Sequence, residues 1–307
     1  MADMTLRNSR SSQTRARRWS PVAVVITAGT ALAGLALSIV LVSGIISTGS
    51  QTIEDHFIVG ATPRLVVDAD VDGDVTIQAG ATESVSVEAR LRDERRIDYQ
   101  SHQDGDTIRI ESREGGRFSF LPSWRRSADV TITAPAGTIV EVHAKNGDVV
   151  MDGLHNDATL RTTNGAIRLD DAQGNINATT TNGRITFDGA VPAGTSTRLN
   201  TTNGRLALRL SDAQGTIDAK STNGRISFEG PLTGEAQAKL QTTNGGVDVR
   251  LTGTPNVTLD LDTSNASVTS RWPVLAEEMD DDTLTGAFGN GQAGLPVRSS
   301  NGEITVE

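Results

Sequence analysis

The chain repeats one four-residue motif seven times, in which two hydroxyl residues are followed by Asn and then by a small residue. The Asn residues of these copies are Asn164, Asn182, Asn203, Asn223, Asn244, Asn265 and Asn301. The steps between them are 18, 21, 20, 21, 21 and 36 residues. A repeat near 20 residues predicts stacked units, each of which buries its apolar face only against its neighbours.

Each repeat also carries strand signals on both sides of the motif. Two apolar positions follow most Gly residues at alternate places, namely Ile167/Leu169, Ile185/Phe187, Leu206/Leu208, Ile226/Phe228, Val247/Val249 and Ile304/Val306. A second corner, such as Gln173-Gly174, lies nine residues before the next Asn. One unit is therefore predicted to contain two short strands and two corners.

Two folds fit this unit. An antiparallel meander would place Asn-Gly at every other hairpin, but its single long sheet would need something to cover the apolar face. A solenoid supplies its own opposite wall, and it stacks equivalent Asn amides so that each can donate to one neighbour and accept from another. We therefore favour an all-β, β-solenoid-like domain in which these Asn residues, together with Asn146, form a structural turn ladder. Asn and Gly are expected to supply left-handed corners there, with the hydroxyls bonded to local backbone.

The N-terminus carries the signals of a membrane anchor. Residues 22–46 contain no charge, and as a helix they would extend about 37 Å, enough to cross a bilayer core of about 30 Å. The preceding residues 1–21 hold five Arg and one Asp, which predicts a cytoplasmic tail with the bulk of the chain outside the cell. A cleaved signal peptide is the alternative, but this apolar span is longer than such peptides use and lacks an A-x-A-like site.

The rest of the chain is predicted to divide into three parts. Residues 47–59 are a linker, 60–140 form an N-terminal β region with an inserted loop at 113–127, and 141–307 form the repeat region with a loop at 272–296. Beyond the anchor no segment has a convincing helical period, although Leu275–Met279 could form one helical turn.

Composition excludes several kinds of function. The chain has no cysteine, which rules out disulfides, thiolate catalysis and Cys-based metal sites. Beyond residue 21 there are 23 basic and 37 acidic residues, a net charge of −14 that argues against nucleic acid as a partner. The four His residues occur singly, and no catalytic or phosphate-binding motif is present. We expect no cofactor and no enzymatic activity.

One acidic segment and one enzymatic alternative need separate mention. Asp68, Asp70, Asp72 and Asp74 alternate as in a calcium loop, but the twelfth position, Ala79, lacks the bidentate Glu. Outward-facing residues of a strand explain the same alternation. A carbohydrate-active β-helix would need acidic or Arg side chains clustered in one groove, and nothing in the sequence points to that cluster.

The two interruptions of the repeat are the better candidates for binding. They hold the two Trp residues of the exported part, and Trp and Arg are enriched in binding hot spots. The candidate partner-binding residues are Phe118, Phe120, Trp124, Arg125, Arg126 and Trp272. Capping of the coil ends is the structural alternative, and it is compatible with binding. The partner would be a cell-wall polymer, a surface component or a membrane protein, in addition to the lipid bilayer around residues 22–46.

The order of parts resembles the bacterial putative-adhesin family, also called LiaG-like. The likeness covers roughly residues 60–306 and is carried by the hairpin at Asp104-Gly105, the run from Val130 to Gly137, and the repeated strand–Asn/Asp-Gly–strand units. This resemblance implies a non-catalytic, membrane-associated β-repeat domain outside the cell, with a role in adhesion. Some relatives are linked to envelope-stress regulation, so an accessory protein acting on a membrane sensor is the alternative role. No catalytic residue is established for the family.

Overall fold

The computed structural model describes residues 45–47, 50–80, 83–93, 96–115 and 126–307. These residues form an all-β structure of two 13-stranded sheets without an α-helix, as the sequence predicts. The described part of the chain thus contains no helix of the length and hydropathy that a bilayer span requires. Residues 22–44 of the predicted anchor and the whole of the tail at 1–21 lie outside it, and the last two residues of that span, Ile45 and Ile46, belong to the first strand.

Strands are numbered in chain order, which differs from their order across each sheet. From one edge to the other, the first sheet consists of β1 (Ile45–Ser47), β2 (Ser50–Ile58), β5 (Ser84–Arg92), β8 (Ser127–Ala134), β4 (Val75–Ala79), β10 (Val149–Asp152), β12 (Ile167–Ala172), β14 (Ile185–Val191), β16 (Leu206–Ala213), β18 (Ile226–Gly230), β20 (Val247–Leu251), β26 (Ile304–Val306) and β22 (Val268–Ser270).

The second sheet faces the first across the core. It consists of β23 (Leu275–Met279), β24 (Thr283–Ala287), β21 (Val257–Thr263), β25 (Ala293–Ser299), β19 (Gln237–Thr242), β17 (Thr216–Ser221), β15 (Ser196–Thr201), β13 (Ile176–Thr180), β11 (Ala158–Asn164), β9 (Ile139–Asn146), β3 (Arg64–Ala69), β7 (Thr107–Glu114) and β6 (Ile97–Asp104).

From β9 to β20 the chain alternates strictly between the two sheets. Each strand pairs in parallel with the equivalent strand of the next coil, as β11 does with β13 and β12 with β14. Parallel pairing of equivalent strands is the arrangement of a solenoid, in which neighbouring coils lie about 4.8 Å apart. The prediction of a coil is confirmed, and the antiparallel meander is excluded for this region.

The core is one thin layer between the sheets. Alternate residues of every coil point inward, and all twelve residues at the predicted apolar positions are buried. The buried cluster runs from Phe57 to Val306, so the predicted boundary between residues 140 and 141 falls inside β9 and within a shared core. Phe187 and Phe228 are the bulkiest side chains of the central coils, and they compensate for the many Ala and Val residues elsewhere.

The coils at both ends of the stack are out of chain order. Strand β25 pairs with β19 on one side and β21 on the other, and β26 lies between β20 and β22 in the same way. At the other end, β3 lies between β7 and β9 and β4 lies between β8 and β10. The first and last coils in sequence are therefore each covered by a neighbour on both sides.

Three sequence-based expectations about segments between strands are wrong. Residues 47–59 are not a linker, because β2 alternates exposed residues with the buried Asp55 and Phe57 and pairs along its whole length with β5. Leu275–Met279 forms β23 rather than a helical turn, because its backbone pairs antiparallel with β24. The supposed loop at 272–296 consequently contains the β23–β24 hairpin and the start of β25.

Candidate binding surface

The repeated Asn residues form a continuous ladder along one edge of the solenoid. Each side-chain amide donates from Nδ2 to Oδ1 of the Asn in the adjacent coil, at 2.7–2.8 Å. In spatial order the ladder is Asn146, Asn164, Asn182, Asn203, Asn223, Asn244, Asn301 and Asn265. Its first amide, that of Asn146, donates to the Asp72 carboxylate at 2.7 Å.

Each Gly of the motif is required by close stacking and not by a left-handed backbone. In four consecutive central coils, from Gly165 to Gly224, a Cβ on the Gly would lie 1.7–1.9 Å from a carbonyl oxygen of the adjacent coil. Neither these glycines nor the ladder Asn residues have a φ in the left-handed region. The expected left-handed corner is therefore wrong, and close backbone approach explains the residue instead. Ala266 takes the Gly position in the coil of β22, which is the outermost strand of its sheet.

The two hydroxyl residues of each motif have different environments. The first is buried and donates to the carbonyl of the motif Gly in the adjacent coil, as Thr180 does to Gly165 at 2.9 Å and Thr201 does to Gly183 at 3.0 Å. The second is exposed in most coils, as in Thr181 and Thr202. Only the first hydroxyl is explained by the fold, and the second forms a row beside the Asn ladder.

The last step of 36 residues has a topological cause. Asn301 donates to Asn244 and accepts from Asn265, so the final coil of the chain lies between the two coils that precede it in sequence. The irregular step therefore does not interrupt the ladder. A repeat alignment gives the order of motifs along the chain but not their order in space, so the sequence contained no signal for this exchange.

Of the candidate residues in the first interruption, only Arg126 lies among the described residues; Phe118, Phe120, Trp124 and Arg125 lie outside them. Arg126 is buried, and its Nη2 lies 3.2 Å from Oε1 of Glu114. This ion pair joins the end of β7 to the start of β8, across the base of the inserted loop. In this position the guanidinium has a structural contact and little exposed surface.

Trp272 lies at the C-terminal end of the stack, just after β22. Its ring packs edge-on against Phe288, with ring centroids 5.7 Å apart and an interplanar angle of 69°. It is half-buried and adjoins the hydrophobic core, which matches the capping alternative.

The β23–β24 hairpin that follows presents apolar side chains that sequence analysis did not single out. Leu275 and Met279 are 76% and 73% exposed, although most large apolar residues of the described chain are buried. Beside them a cleft of about 790 Å³ is lined by Ser264, Asn265, Ala266, Met279, Asp280, Asp281 and Asp282. The segment reads Leu-Ala-Glu-Glu-Met, which lacks the strict alternation of a half-buried strand, so no periodic signal in the sequence identified it.

The opposite end carries a buried carboxyl. Asp55 of β2 accepts a hydrogen bond from the Ser101 hydroxyl of β6, which links the edges of the two sheets. Burial raises the pKa of Asp55, while the bond from Ser101 and the charge of His56 oppose that rise. Burial and the nearby Asp55 charge also raise the pKa of Tyr99, and Ser101 opposes that rise.

The alternating Asp residues near the N-terminus serve the scaffold. Asp68 pairs with Arg109 at 3.5 Å across β3 and β7, Asp72 ends the Asn ladder, and Asp74 accepts the backbone N–H of Asp148 at 2.9 Å. These contacts match the interpretation of the segment as a strand and corner with outward-facing acids.

Acidic residues also align on the outer face of the first sheet. Asp152, Asp170 and Asp188 occupy equivalent positions of β10, β12 and β14. A hydrogen bond and the charge of Asp170 raise the pKa of the neighbouring Arg168. This row supplies three carboxylates, but it lies on the outside of a sheet and not in the groove that a carbohydrate-active enzyme needs.

Comparison with known proteins supports the architecture. A crystal structure of a putative adhesin from Bacteroides fragilis matches with a TM-score of 0.50 at 14% identity, covering 83% of this chain and 97% of that chain. Two further crystal structures are more distant. One is a putative cell adhesion protein from Clostridium sporogenes, with 9% identity and a TM-score of 0.26, covering 83% of this chain and 98% of that chain. The other is a putative lipid binding protein from Parabacteroides distasonis, with 10% identity and a TM-score of 0.32, covering 85% of this chain and 98% of that chain. No curated protein matches the chain.

A family model, by contrast, matches most of the sequence directly. The match begins at residue 63, at the start of the first internal coil, and extends to residue 307 at the end of the chain. It therefore covers all the repeats and both coil exchanges. The chain belongs to the Toastrack DUF4097 family.

Proposed function

We propose that the chain is a membrane-anchored, non-catalytic scaffold outside the cell that binds a protein partner at the C-terminal end of its solenoid. The supporting observation is the exposed apolar pair Leu275 and Met279 on edge strand β23, beside the half-buried Trp272. An edge strand offers unpaired backbone groups, and exposed apolar side chains next to them are typical of protein interaction sites. Arg126 and the rest of the first interruption stay secondary candidates for the same role.

The anchor proposal has separate support. Residues 22–44, the part of the expected span that precedes β1, have the length and lack of charge of a membrane span, and the five Arg residues before them favour a cytoplasmic N-terminus. Labelling of intact cells with a membrane-impermeant reagent tests this topology. Residues beyond 50 should be labelled and the tail should not, and the reverse pattern would contradict the proposal.

The test of partner binding is crosslinking of the full chain in intact cells, followed by identification of attached proteins. A double variant, Leu275→Ser with Met279→Ser, should abolish the crosslinked species, because it removes the exposed apolar surface from β23. Both side chains are exposed, so the variant should retain its thermal stability. Trp272→Ala should weaken the same crosslink, with some loss of stability because its ring contacts Phe288.

Ile58→Ser provides the matched control. Ile58 is 64% exposed and lies in β2, at the opposite end of the molecule. Loss of crosslinking in this control to the same degree as in the β23 variant would indicate general surface stickiness. Unchanged crosslinking in the β23 and Trp272 variants would remove the C-terminal end from the binding site.

A further inference from the structure

The central part of the edge that carries the Asn ladder has a charge opposite to that of the exported chain as a whole, although Asp72, Asp148 and Glu303 lie at the two ends of that edge. We define the Asn ridge as the five central corners with their adjoining residues, at 161–166, 179–184, 200–205, 220–225 and 241–246. It contains five cations and no carboxylate, namely Arg161, Arg184, Arg205, Lys220 and Arg225. The ridge is therefore a positive strip on a protein whose net charge is strongly negative beyond residue 21.

These cations are available for an external ligand. All five are exposed. Within the part of the chain that the structure describes, only Arg225 has an ion pair, with Asp248 at 2.6 Å. Other cations on the sheet faces have acids in register beside them, as Arg209 has Asp188 and Glu229. The other four ridge cations have no ion pair among the described residues.

Three of the ridge cations are also direct neighbours. Arg184, Arg205 and Arg225 occupy the position after the motif Gly in successive coils, so their backbones lie about 4.8 Å apart. Like charges at adjacent strand positions are destabilising on their own. A bound anion that spans several coils would remove this repulsion.

Polar groups complete the surface. The second hydroxyls of the motifs, such as Thr181 and Thr202, are exposed and make no hydrogen bond to other described residues. The ladder amides leave one N–H of each Nδ2 unused by the next Asn. The ridge thus combines guanidinium groups, hydroxyls and amides in rows that run for about 19 Å across five coils.

We propose that the Asn ridge binds a linear phosphate-bearing polymer that lies along the solenoid axis. Guanidinium groups bind phosphate oxygens in a bidentate manner, and hydroxyl and amide donors supply further hydrogen bonds. Aromatic side chains, on which nucleic acid bases would stack, are absent from the ridge sequence. Two carboxylates on the outer face of the first sheet, Asp170 and Glu229, already have ion-pair partners within the chain, which disfavours that part of the face as the occupant from a second copy.

This inference deepens the proposed binding role by adding a ligand class at a second surface. The test measures binding of the full chain to polyglycerol phosphate and to inorganic polyphosphate over a range of salt concentrations. For the double variant Arg184→Gln with Arg205→Gln, we expect about tenfold weaker binding to both polymers at low salt. The slope of log K against log salt should become less steep by roughly 1.4, because two phosphate contacts are lost.

The control variant, Arg209→Gln with Lys239→Gln, removes the same charge from exposed positions off the ridge that have acids beside them. The Arg-rich tail is present in both variants and cancels in the comparison. The control variant should melt at the temperature of the parent chain, since Arg209 and Lys239 are exposed, and the ridge variant should melt at that temperature or slightly above it, because it removes the repulsion between Arg184 and Arg205. If polymer binding weakened equally in the two variants, the proposal would be overturned, because the loss would then follow from the change in net charge and not from the position of the two residues.

Three other probes decide the class of ligand. The assignment would be overturned if ridge-dependent binding to one of these probes were as tight as binding to the phosphate polymers. Tight binding of polyglutamate would indicate a carboxylate polymer, tight binding of single-stranded oligothymidylate would indicate nucleic acid, and tight binding of anionic lipid vesicles would indicate a membrane surface. The crosslink made through β23 is measured independently. A ridge variant that loses polymer but keeps that crosslink supports both proposals, whereas a chain that never binds polymer removes the ridge proposal alone.

Discussion

The central coils and the two ends of this solenoid satisfy the same physical requirements in different ways. In the centre every coil is covered on both sides by a near-copy of itself. Each motif position therefore meets the same surroundings in every coil and keeps the same residue type: a buried hydroxyl, then the Asn of the ladder, then the close-packed Gly. At the ends the stack must stop, and there the chain uses an Ala in place of Gly, a buried carboxyl, an edge hairpin and exchanged coils. Repetition dictates the central residues, whereas the ends are built from single contacts.

The largest difference between centre and end is expected at the motif Gly. A methyl group at Gly204 would lie 1.7 Å from the carbonyl oxygen of Gly183, so Gly204→Ala must separate two coils. We expect it to lower the free energy of unfolding by about 3 kcal/mol or more. The matched change at the end, Ala266→Gly, should cost no more than about 1 kcal/mol. Urea denaturation of both variants checks this, and equal losses would contradict the account of Gly as a stacking requirement.

A smaller effect is expected at the buried hydroxyl. Thr201→Val leaves the Gly183 carbonyl without its hydrogen bond inside the stack, which should cost about 1–3 kcal/mol. Its neighbour Thr202 is exposed, and Thr202→Val should stay within about 0.5 kcal/mol of the parent chain. The melting temperatures of the two variants distinguish these positions, and a larger shift for Thr202→Val would reverse the assignment of buried and exposed hydroxyls.

The Asn ladder should show the difference between centre and end more weakly. Asn203 both donates to Asn182 and accepts from Asn223, whereas Asn265 in the outermost coil only donates, to Oδ1 of Asn301 and to the Ser300 carbonyl. We expect Asn203→Ala to cost about 1 kcal/mol, since these bonds are exposed to water, and Asn265→Ala to cost less. Denaturation midpoints measure which of the two variants loses more stability. An equal loss in both, or a larger loss for Asn265→Ala, would show that the interior bonds of the ladder contribute nothing to stability.

The smallest effect is expected at the N-terminal end, and it depends on pH. Because burial raises the pKa of Asp55, the folded chain holds this proton at pH values where the unfolded chain has lost it. The contribution of Asp55 to stability is therefore favourable below its unfolded pKa and is lost as pH rises through its folded pKa. Asp55→Asn should remove this decline in stability with rising pH. A decline that persists unchanged in the variant would assign it to another group.

The sequence predicts the central coils well because their information is local and repeated. The apolar alternation at Ile185 and Phe187 recurs in each unit and correctly identifies the buried face, and the stacked Asn residues follow from the same period. The left-handed corner was a wrong inference, since an Asn-Gly pair is compatible both with a positive φ and with close stacking. The backbone φ and the close approach of Gly204 to the Gly183 carbonyl distinguish the two.

The ends could not be predicted because their residues depend on contacts between distant segments. Nothing in the residues of Leu275–Met279 states that β24 will be the partner of this strand, and Asp55 finds its hydrogen-bond partner, Ser101, in the other sheet. The charge of the Asn ridge was hidden for a related reason. Net charge sums over the whole chain, whereas the corners at Arg184 and Arg205 become neighbours only when the coils stack.

The exchanged coils also decide how the molecule responds to pulling. A stack whose last segment is also its outermost layer can peel from that end, one layer at a time. In this chain the segment that ends at Glu307 is held in parallel by β19 and β20 on one side and by β21 and β22 on the other. A force on the C-terminus must shear both interfaces together, so this protein should resist unzipping under load better than a simple stack of the same length.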